Sequence, residues 1–388
     1  MGPKGQIVIR GARLILPDRV IRQDLIIEGG RLARVGKLRH PPGPEARAFN
    51  LEGLYVSPGF IDLQANGGGG HDFTTAQKEE VRKILSFHAC HGTTGLLATL
   101  ITAPIDRLRQ AMEIIKRTQA KEILGVHLEG PFISPERRGA HNPEHILNPS
   151  QGSFQALTAG YHNLIRVVTL APELPGADRL IGEIRKFALP ALGHSNATYE
   201  EACAAVERGV KLFTHLFNAM SGFHHREPGA VGAALDSDVM VGLIPDGIHL
   251  HPAAVRLVLK AKGIDKICLV TDSIGAAGLG DGRYSLAGQE VIVDHGVARL
   301  ADGTLAGSTL TMERAVKNFL EFTGVSLPEA VRTATLNPAR LLGLDRRKGS
   351  IAVGKDADLV IFDEAFNVHY TIIGGEIVYS RDEGHRCD

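Results

Sequence analysis

Cysteine is scarce in this chain. The four cysteines have no C-x-x-C spacing and occur at Cys90, Cys203, Cys268 and Cys387. This scatter indicates neither a disulfide framework nor a cysteine zinc site. We therefore expect reduced thiols.

The chain also lacks net charge and long apolar runs. Forty-three basic residues balance 43 acidic ones and the sequence pI is about 7.3, so net charge does not favour nucleic acid or an anionic membrane as a partner. No segment approaches the roughly 18 continuous apolar residues of a membrane span. The N-terminal stretch "MGPKGQIVIRGARLILPD" lacks the apolar core of a signal peptide. We expect a cytoplasmic protein that acts on a small polar substrate.

Tryptophan is absent, whereas histidine occurs 17 times, and the central part of the chain gives several of these histidines a structured position. Strand-like runs that are apolar throughout alternate there with helical stretches, as in parallel strands covered on both faces. The runs are "ILGVHLE", "LIRVVTLAPE", "FALPALGH", "VKLFTH", "VMVGLIPDGIH" and "KICLVTD". One helix is predicted to begin with a capping box of Thr198 and Glu201, and another to end at Gly263.

Repeated βα units over about 290 residues predict an α/β protein with a (β/α)8 TIM-like barrel. The rival is a doubly wound open sheet, but no G-x-G-x-x-G follows the first strand of any unit. Both ends of the chain show short alternating β segments separated by glycine turns. We therefore predict a small β-sandwich domain built from residues 1–56 and 346–388, and a catalytic barrel over residues 57–345.

Polar residues occupy the carboxyl ends of five predicted strands, where the strands of a barrel converge on one mouth and active sites lie. These residues are Glu129, His194, His215, His249 and Asp272. Each has a structural interpretation when taken singly, such as a helix cap for Asp272 or a buried core imidazole for His215. Their shared position at the barrel mouth favours an active site over five separate structural roles. His88, His91, His162 and His295 lack that position and are interpreted as structural, and "HHRE" reads as a solvated loop.

Glutamate and two imidazoles form a three-ligand set for a divalent ion that leaves a fourth position open, as catalytic sites do. Glu129, His194 and His215 are the candidate ligands. Water at such an ion has a pKa near 7 rather than about 15.7. Asp272 is the candidate general acid and base, because hydrolysis needs a group that accepts the proton of water and returns it to the leaving group.

The chain resembles the N-acetylglucosamine-6-phosphate deacetylases of the amidohydrolase superfamily from about residue 50 to residue 355. The resemblance rests on "PGFIDLQANGGGG", "HLEGPFI", "RGAHNP", "GHSNATYEEA", "THLFNAM", "REPGAVGAALD", "DGIH", "LVTD" and "GTLAGSTLTM". It implies the same metal ligands and the same acid/base, and it gives His141 the role of polarising the amide carbonyl. It also implies a homodimer in which Arg226 reaches the neighbouring subunit's site. The other implied contacts with the sugar phosphate are Ala140, Asn218, Ala219, His249, Leu305, Ala306 and Gly307.

One place departs from the wider superfamily. Most members carry H-x-H at the end of the first barrel strand and bind a second metal, whereas this chain reads Gln64-Ala65-Asn66. Neutral amides are poor zinc ligands, so we expect one divalent ion per subunit. Zn2+ is the favoured ion, and Fe2+ and Co2+ accept similar ligands.

The resemblance implies hydrolysis of N-acetyl-D-glucosamine 6-phosphate to D-glucosamine 6-phosphate and acetate in amino-sugar catabolism. The galactosamine isomer of the substrate is an alternative. The two sugars differ in the configuration of one hydroxyl, and no motif indicates which configuration the site accepts. A non-catalytic binding protein with the amidohydrolase fold is a second alternative, although such proteins typically lose ligands that are present here. A deaminase is a third, and the lack of H-x-H counts against it.

Overall fold

The computed structural model describes residues 6–38 and 46–382. Cys387 and the proline-rich residues 40–45 therefore lie outside the described residues. The described chain forms an eight-stranded parallel sheet surrounded by helices, together with smaller sheets of which two come from the chain ends. The expected (β/α)8 barrel with a β-sandwich from both termini is confirmed.

The barrel strands follow one another in chain order around the sheet, and each pairs in parallel with its neighbour. Almost every residue in them is buried, which explains why they read as continuous apolar runs. We number these barrel strands one to eight: Phe60–Ala65, Thr93–Ile101, Ile123–Glu129, Ile165–Leu170, Leu189–Leu192, Leu212–Phe213, Met240–Leu243 and Ile267–Leu269.

The first and eighth strands close the barrel just beyond their hydrogen-bonded ends. The N–H of Asp272 donates to the carbonyl of Gln64 over 2.9 Å, and the N–H of Asn66 donates to the carbonyl of Ser273 over 2.8 Å. This closure brings the ends of the two strands to the same part of the barrel mouth.

Helices cover the outside of the barrel. The helix Tyr199–Arg208 begins with the predicted capping box, since Thr198 Oγ1 accepts from the N–H of Glu201 and the Glu201 carboxylate accepts from the N–H of Thr198. The helix Pro252–Lys262 ends at Gly263 as predicted. The remaining helices are Lys78–Cys90, Ile105–Thr118, Gln151–Thr158, Ala177–Ile184, Gly229–Asp236, Met312–Thr323, Leu327–Thr333 and Leu336–Leu341, with 3-10 turns at Pro135–Arg137, Pro143–His145 and Ile264–Lys266.

Two sheets from the chain ends enclose a separate apolar core that includes Ile9, Leu14, Ile27, Leu359 and Ile361. The four-stranded sheet contains Ile7–Arg10, Leu25–Glu28, Arg31–Val35 and Arg47–Asn50. The six-stranded sheet joins strands from both ends: Arg13–Ile15, Val20–Arg22, Tyr55–Pro58, Leu359–Phe362, Val368–Ile373 and Glu376–Ser380. The division into domains at residues 56 and 346 stays a prediction.

The predicted seventh strand is too long. Residues 239–249 read as one run ending at His249, but the strand Met240–Leu243 stops six residues earlier and a loop follows. Pro245 cannot donate to a strand ladder, and Gly247 has a positive φ of 80°, so the chain turns there. His249 therefore reaches the barrel mouth from a loop.

A small antiparallel sheet follows the eighth barrel strand. It consists of Gly282–Leu286, Gln289–Asp294 and Val297–Arg299, and its apolar side packs with Ile101, Ala140 and Ile274 near the barrel mouth. A two-stranded hairpin, Gly67–Gly68 with His71–Asp72, follows the first strand. Among the described residues, no helix has the length and apolar character needed to span a bilayer.

Candidate active site

Three candidate ligand atoms meet at the carboxyl end of the barrel. Glu129 is the last residue of the third barrel strand, and His194 and His215 each lie two residues beyond the fifth and sixth. Glu129 Oε1 lies 3.1 Å from His194 Nε2 and 2.9 Å from His215 Nε2, and the two imidazole nitrogens lie 3.1 Å apart. All three side chains are buried. The structure thus brings together the three predicted metal ligands.

The chemistry of these three atoms fits a cation. The carbonyl of Arg137 lies 3.0 Å from His194 Nδ1 and can only accept, so this nitrogen carries the ring proton. In the neutral ring Nε2 then presents a lone pair to the Glu129 carboxylate, which is also an acceptor. Ligand bonds of about 2.0–2.1 Å in a tetrahedral arrangement separate neighbouring ligand atoms by about 3.3 Å, close to the spacing here. The site therefore suits a small divalent ion.

Electrostatics keep Glu129 ionised. Burial opposes its charge, but the imidazoles of His194 and His215 beside it outweigh burial and hold the pKa of Glu129 well below its usual range. The carboxylate is thus available as an anionic ligand at neutral pH.

Asp272 lies beside the ligand cluster and is held by the two amides that replace the histidines of H-x-H. Its Oδ1 accepts from Gln64 Nε2 over 3.0 Å and from Asn66 Nδ2 over 2.7 Å. Gln64 Nε2 also donates to Glu129 Oε1 over 2.8 Å. Burial and the nearby charge of Glu129 raise the pKa of Asp272 to about 6. The amides occupy one carboxylate oxygen and leave Oδ2 for another partner.

His141 has a defined tautomer. The backbone N–H of Thr102 donates to His141 Nδ1 over 3.2 Å, so the ring proton of the neutral form lies on Nε2. Burial and the neighbouring His194 imidazole lower the pKa of His141 to about 3, which keeps the ring neutral. A ring nitrogen of His141 lies within 4.8 Å of ligand atoms of Glu129 and His194. His141 can therefore donate a hydrogen bond close to the cluster.

Backbone strain is concentrated around this site. Among the described residues, nine that are not glycine have positive φ, and five of them surround the cluster: His194, His215, Phe217, Ala219 and Asp272. Such conformations cost free energy and persist where the surrounding structure enforces them, often at functional sites.

A pocket of about 350 Å3 opens from the cluster, and most of the predicted substrate contacts line it. These are Ala140, Asn218, Ala219, His249, Leu305 and Gly307. Gly307 has a φ of 61°, and a Cβ there would lie 2.5 Å from Ile274 Cγ2, so the close approach requires glycine. Ala306 is buried behind the lining, and Arg226 lies on an exposed loop outside the pocket of its own chain.

His249 is oriented by Asp246. Its Nδ1 lies 2.6 Å from Asp246 Oδ2, and burial of Asp246 is outweighed by the hydrogen bonds from His249, which lower the pKa of that carboxyl. Nδ1 faces the carboxylate and can donate its proton there. Nε2 is then available to bind a ligand. The predicted structural histidines do not line this pocket.

Several pocket residues were missed by sequence reasoning. Glu136 and Arg137 lie on the 3-10 turn after the third strand, and Leu286 comes from the small antiparallel sheet. Gln289 of that sheet donates to the carbonyl of Ala140 over 2.6 Å. The alternation and glycine turns of residues 282–299 were a signal for this sheet, whereas the loop "SPERRG" carries no periodic signal.

Comparison with known proteins identifies the family of the chain. The Amidohydrolase family model matches residues 55–378. N-acetylglucosamine-6-phosphate deacetylase from Bos taurus is 41% identical and aligns over 96% of this chain and 95% of its own. N-acetylgalactosamine-6-phosphate deacetylase from Escherichia coli O157:H7 is 40% identical over 83% of this chain and 87% of its own.

A solved structure also superposes on nearly the whole chain. It is a point mutant of N-acetyl-D-glucosamine-6-phosphate deacetylase from Mycobacterium smegmatis in complex with N-acetyl-D-glucosamine-6-phosphate. The TM-score is 0.91 at 35% identity, with 97% of this chain and 100% of that chain covered. The chain therefore belongs to the amidohydrolase family and groups with its N-acetylglucosamine-6-phosphate deacetylases.

Proposed function

We propose that the chain hydrolyses the acetamide of N-acetyl-D-glucosamine 6-phosphate to D-glucosamine 6-phosphate and acetate. The observation that carries the proposal is the placement of Asp272 and His141 next to a three-ligand cation site, inside a pocket of about 350 Å3. The relatives that bear this activity support it across the whole chain.

Glu129, His194 and His215 would hold one divalent ion, which we infer to be Zn2+, with Fe2+ and Co2+ as alternatives. When bound, such an ion acts as a Lewis acid and makes water a nucleophile at neutral pH. Gln64 and Asn66 act through Asp272 rather than as ligands, since their amide nitrogens donate to its carboxylate. We therefore infer a mononuclear site.

Asp272 serves as general base and then as general acid. Its Oδ1 is occupied by two amide donors, so Oδ2 takes the proton from the attacking water. The same oxygen can return the proton to the departing amine, because a pKa of about 6 allows both states near neutral pH. His141 Nε2 donates to the carbonyl oxygen as negative charge develops there, which stabilises the transition state.

The sugar phosphate is expected to extend from the cluster along the pocket. Ala140 and residues 305–307, of which Ala306 is buried, would lie beside the sugar, while Asn218, Ala219 and His249 would bind the phosphate end. Arg226 is exposed on its own chain. Its Nη1 lies 2.8 Å from Nε2 of the neighbouring His225. We infer that it completes the partner's site in a homodimer.

Exposed apolar side chains support an interface near this loop. Phe223 is 59% exposed, Ile248 42% and Leu257 53%, and they lie on or beside segments that carry Arg226 and His249. We also infer a cytoplasmic enzyme, which the free thiols of Cys90, Cys203 and Cys268 support.

A second candidate substrate is N-acetyl-D-galactosamine 6-phosphate. The Escherichia coli relative that bears this name is about as similar to the chain as the glucosamine enzymes are. Overall identity therefore does not separate the two sugars.

Acetate release tests both substrates. Purified, metal-loaded protein is assayed with each N-acetylhexosamine 6-phosphate and with unphosphorylated N-acetylglucosamine, and Asp272→Asn serves as the inactive control. We expect the highest kcat/KM for the glucosamine 6-phosphate. A higher value for the galactosamine isomer would transfer the assignment to that sugar, and absence of acetate from every substrate would reject deacetylation.

A further inference from the structure

Arg137 lines the pocket but has no anionic partner. Within residues 6–38 and 46–382 its guanidinium makes one hydrogen bond, from Nε to Asn196 Oδ1 over 2.8 Å, and forms no ion pair within 4.0 Å. The residue is half-buried on the turn Pro135–Arg137. A partly desolvated cation that has no carboxylate within ion-pair distance favours an anionic ligand.

The neighbouring side chains hold this guanidinium in one orientation. Asn196 Nδ2 donates to Glu136 Oε2 over 2.6 Å, and the N–H of Asn196 donates to Glu173 Oε1 over 2.6 Å. The amide of Asn196 is thus fixed with its oxygen toward Arg137. Because Nε is occupied, the two terminal nitrogens remain as a paired donor, the geometry that suits a phosphate.

Arg137 lies on the same side of the pocket as Asn218 and Ala219. Ser195, next to Asn196, donates its N–H to the carbonyl of Ala219 over 3.1 Å. A Cβ on Gly139 would lie 3.7 Å from the Cβ of Ala219, so the loop after Arg137 packs on the same segment. Glu129 and Asp272 also line the pocket and disfavour an anion at the ligand cluster, and the Glu136 carboxylate accepts from Asn196.

We propose that Arg137 binds the phosphate of the substrate within its own subunit and sets the preference for phosphorylated over neutral amino sugars. The proposal rests on the proposed function, since it names a residue that recognises that substrate. It is separate from Arg226, which would act from the partner subunit. Each subunit therefore has its own guanidinium for the phosphate, independent of the partner subunit.

The test measures acetate release by Arg137→Gln with N-acetylglucosamine 6-phosphate and with N-acetylglucosamine. Hydrogen bonds to charged groups typically contribute about a 10- to 100-fold change in binding, so KM for the phosphorylated sugar should rise by that factor. The kcat/KM for the neutral sugar should change by less than about twofold, since that sugar makes no phosphate contact. Arg137→Lys should recover part of the loss because it keeps the charge without the paired donor.

Arg138→Gln is the matched control, because Arg138 is the adjacent arginine and does not line the pocket. This variant should leave KM and kcat/KM unchanged for both sugars. The Arg137 carbonyl also orients His194, so metal content is measured for each variant. Equal loss of kcat/KM for both sugars, or an unchanged KM for the phosphorylated one, would overturn the proposal. Wild-type protein that releases no acetate would instead reject the proposed function.

A second measurement uses the unmodified chain and does not depend on a variant folding. Phenylglyoxal modifies arginine side chains, and peptide mapping follows the modification at Arg137. D-glucosamine 6-phosphate should slow the modification at this position, and D-glucosamine should not. Equal rates with and without the phosphorylated sugar would contradict a contact with phosphate.

Discussion

Asp272 shows how single residues are adapted to the proposed chemistry. Gln64 and Asn66 bind one of its carboxylate oxygens, and burial together with Glu129 raises its pKa to about 6. A general base works best when its pKa lies close to the working pH. The amides that stand at the H-x-H positions therefore also position the proposed acid/base.

Asp272→Asn should keep metal and substrate binding but lose turnover by about 10³-fold or more, since the amide keeps the shape and removes the base. Stopped acetate assays give kcat, and elemental analysis of the same sample gives the metal content. Retention of more than about a tenth of the wild-type turnover would show that another group moves the proton.

The pH profile follows from the direction of the Asp272 shift. The base must be ionised, so kcat/KM should fall about tenfold per pH unit below pH 6. The measurement is kcat/KM from pH 5 to 8, with metal content checked at each pH. A flat profile down to pH 5 with the metal retained would contradict the assignment of Asp272 as base.

Metal stoichiometry tests the role of the two amides. With Glu129, His194 and His215 as ligands and no imidazole at 64 or 66, we expect one equivalent of tightly bound divalent ion per chain. Elemental analysis after gentle purification gives the ratio. A ratio near two, with both ions at the barrel mouth, would be inconsistent with a mononuclear site.

At the scale of elements, the closure between the first and eighth barrel strands depends on a buried carboxyl. Asp62 Oδ1 accepts from the N–H groups of Gln64 and Thr271 over 3.1 and 3.3 Å, and Thr271 Oγ1 donates to Oδ2 over 2.5 Å. Burial raises the pKa of Asp62 from 3.8 to about 7, although the Thr271 hydroxyl lowers it. Gln64 lies two residues after Asp62, and Asp272 directly follows Thr271.

The raised pKa makes stability depend on pH. The unfolded chain loses the Asp62 proton near pH 4, whereas the folded chain keeps it until about pH 7. The folded state thus binds more protons between these values, so this group makes the free energy of unfolding fall as pH rises, by at most about 1.4 kcal/mol per unit.

Asp62→Asn should remove this contribution, because Asn retains an acceptor for the two N–H groups and does not titrate. Denaturant unfolding of metal-loaded protein at pH 5 and pH 7.5 gives the change in free energy for each variant. Asp18→Asn is the control, since Asp18 is 67% exposed in an ion pair with Arg19. The same pH dependence in Asp62→Asn as in wild type would reject this account.

At the scale of the whole molecule, the proposed homodimer would add Arg226 of one subunit to the phosphate contacts of the other. Arg226 lies outside its own pocket, whereas Phe223 beside it is 59% exposed. An apolar side chain exposed next to a functional loop is typical of an interface. The homodimer would bring this loop to the partner's pocket.

A mixed dimer tests sharing of the site. Arg226→Ala and Asp272→Asn subunits should each be nearly inactive alone, and heterodimers should regain activity in one of two sites, because that site combines an intact Asp272 with the partner's intact Arg226. The two variants carry different tags, and the doubly tagged species is assayed. Heterodimers that form but release no acetate above either parent would contradict action across the interface.

The sequence by itself predicted the barrel and the ligand cluster, because both depend on local patterns. Apolar strands buried on two faces read as continuous runs, and Glu129, His194, His215 and Asp272 follow those runs directly. The capping box at Thr198 and the glycine at Gly263 were equally local. Residues at the carboxyl ends of parallel strands share one face of the fold, so their convergence could be anticipated.

Only the tertiary structure decided which side chains complete the pocket. Gln64 and Asn66 were recognised as poor ligands, but their hydrogen bonds to Asp272 depend on closure of the first strand against the eighth. Arg137 reaches the pocket because its turn packs on the loop after the fifth strand, and no periodic pattern predicts that contact. Strand positions follow from hydrophobic periodicity, whereas contacts between loops distant in the chain arise only when the barrel has closed.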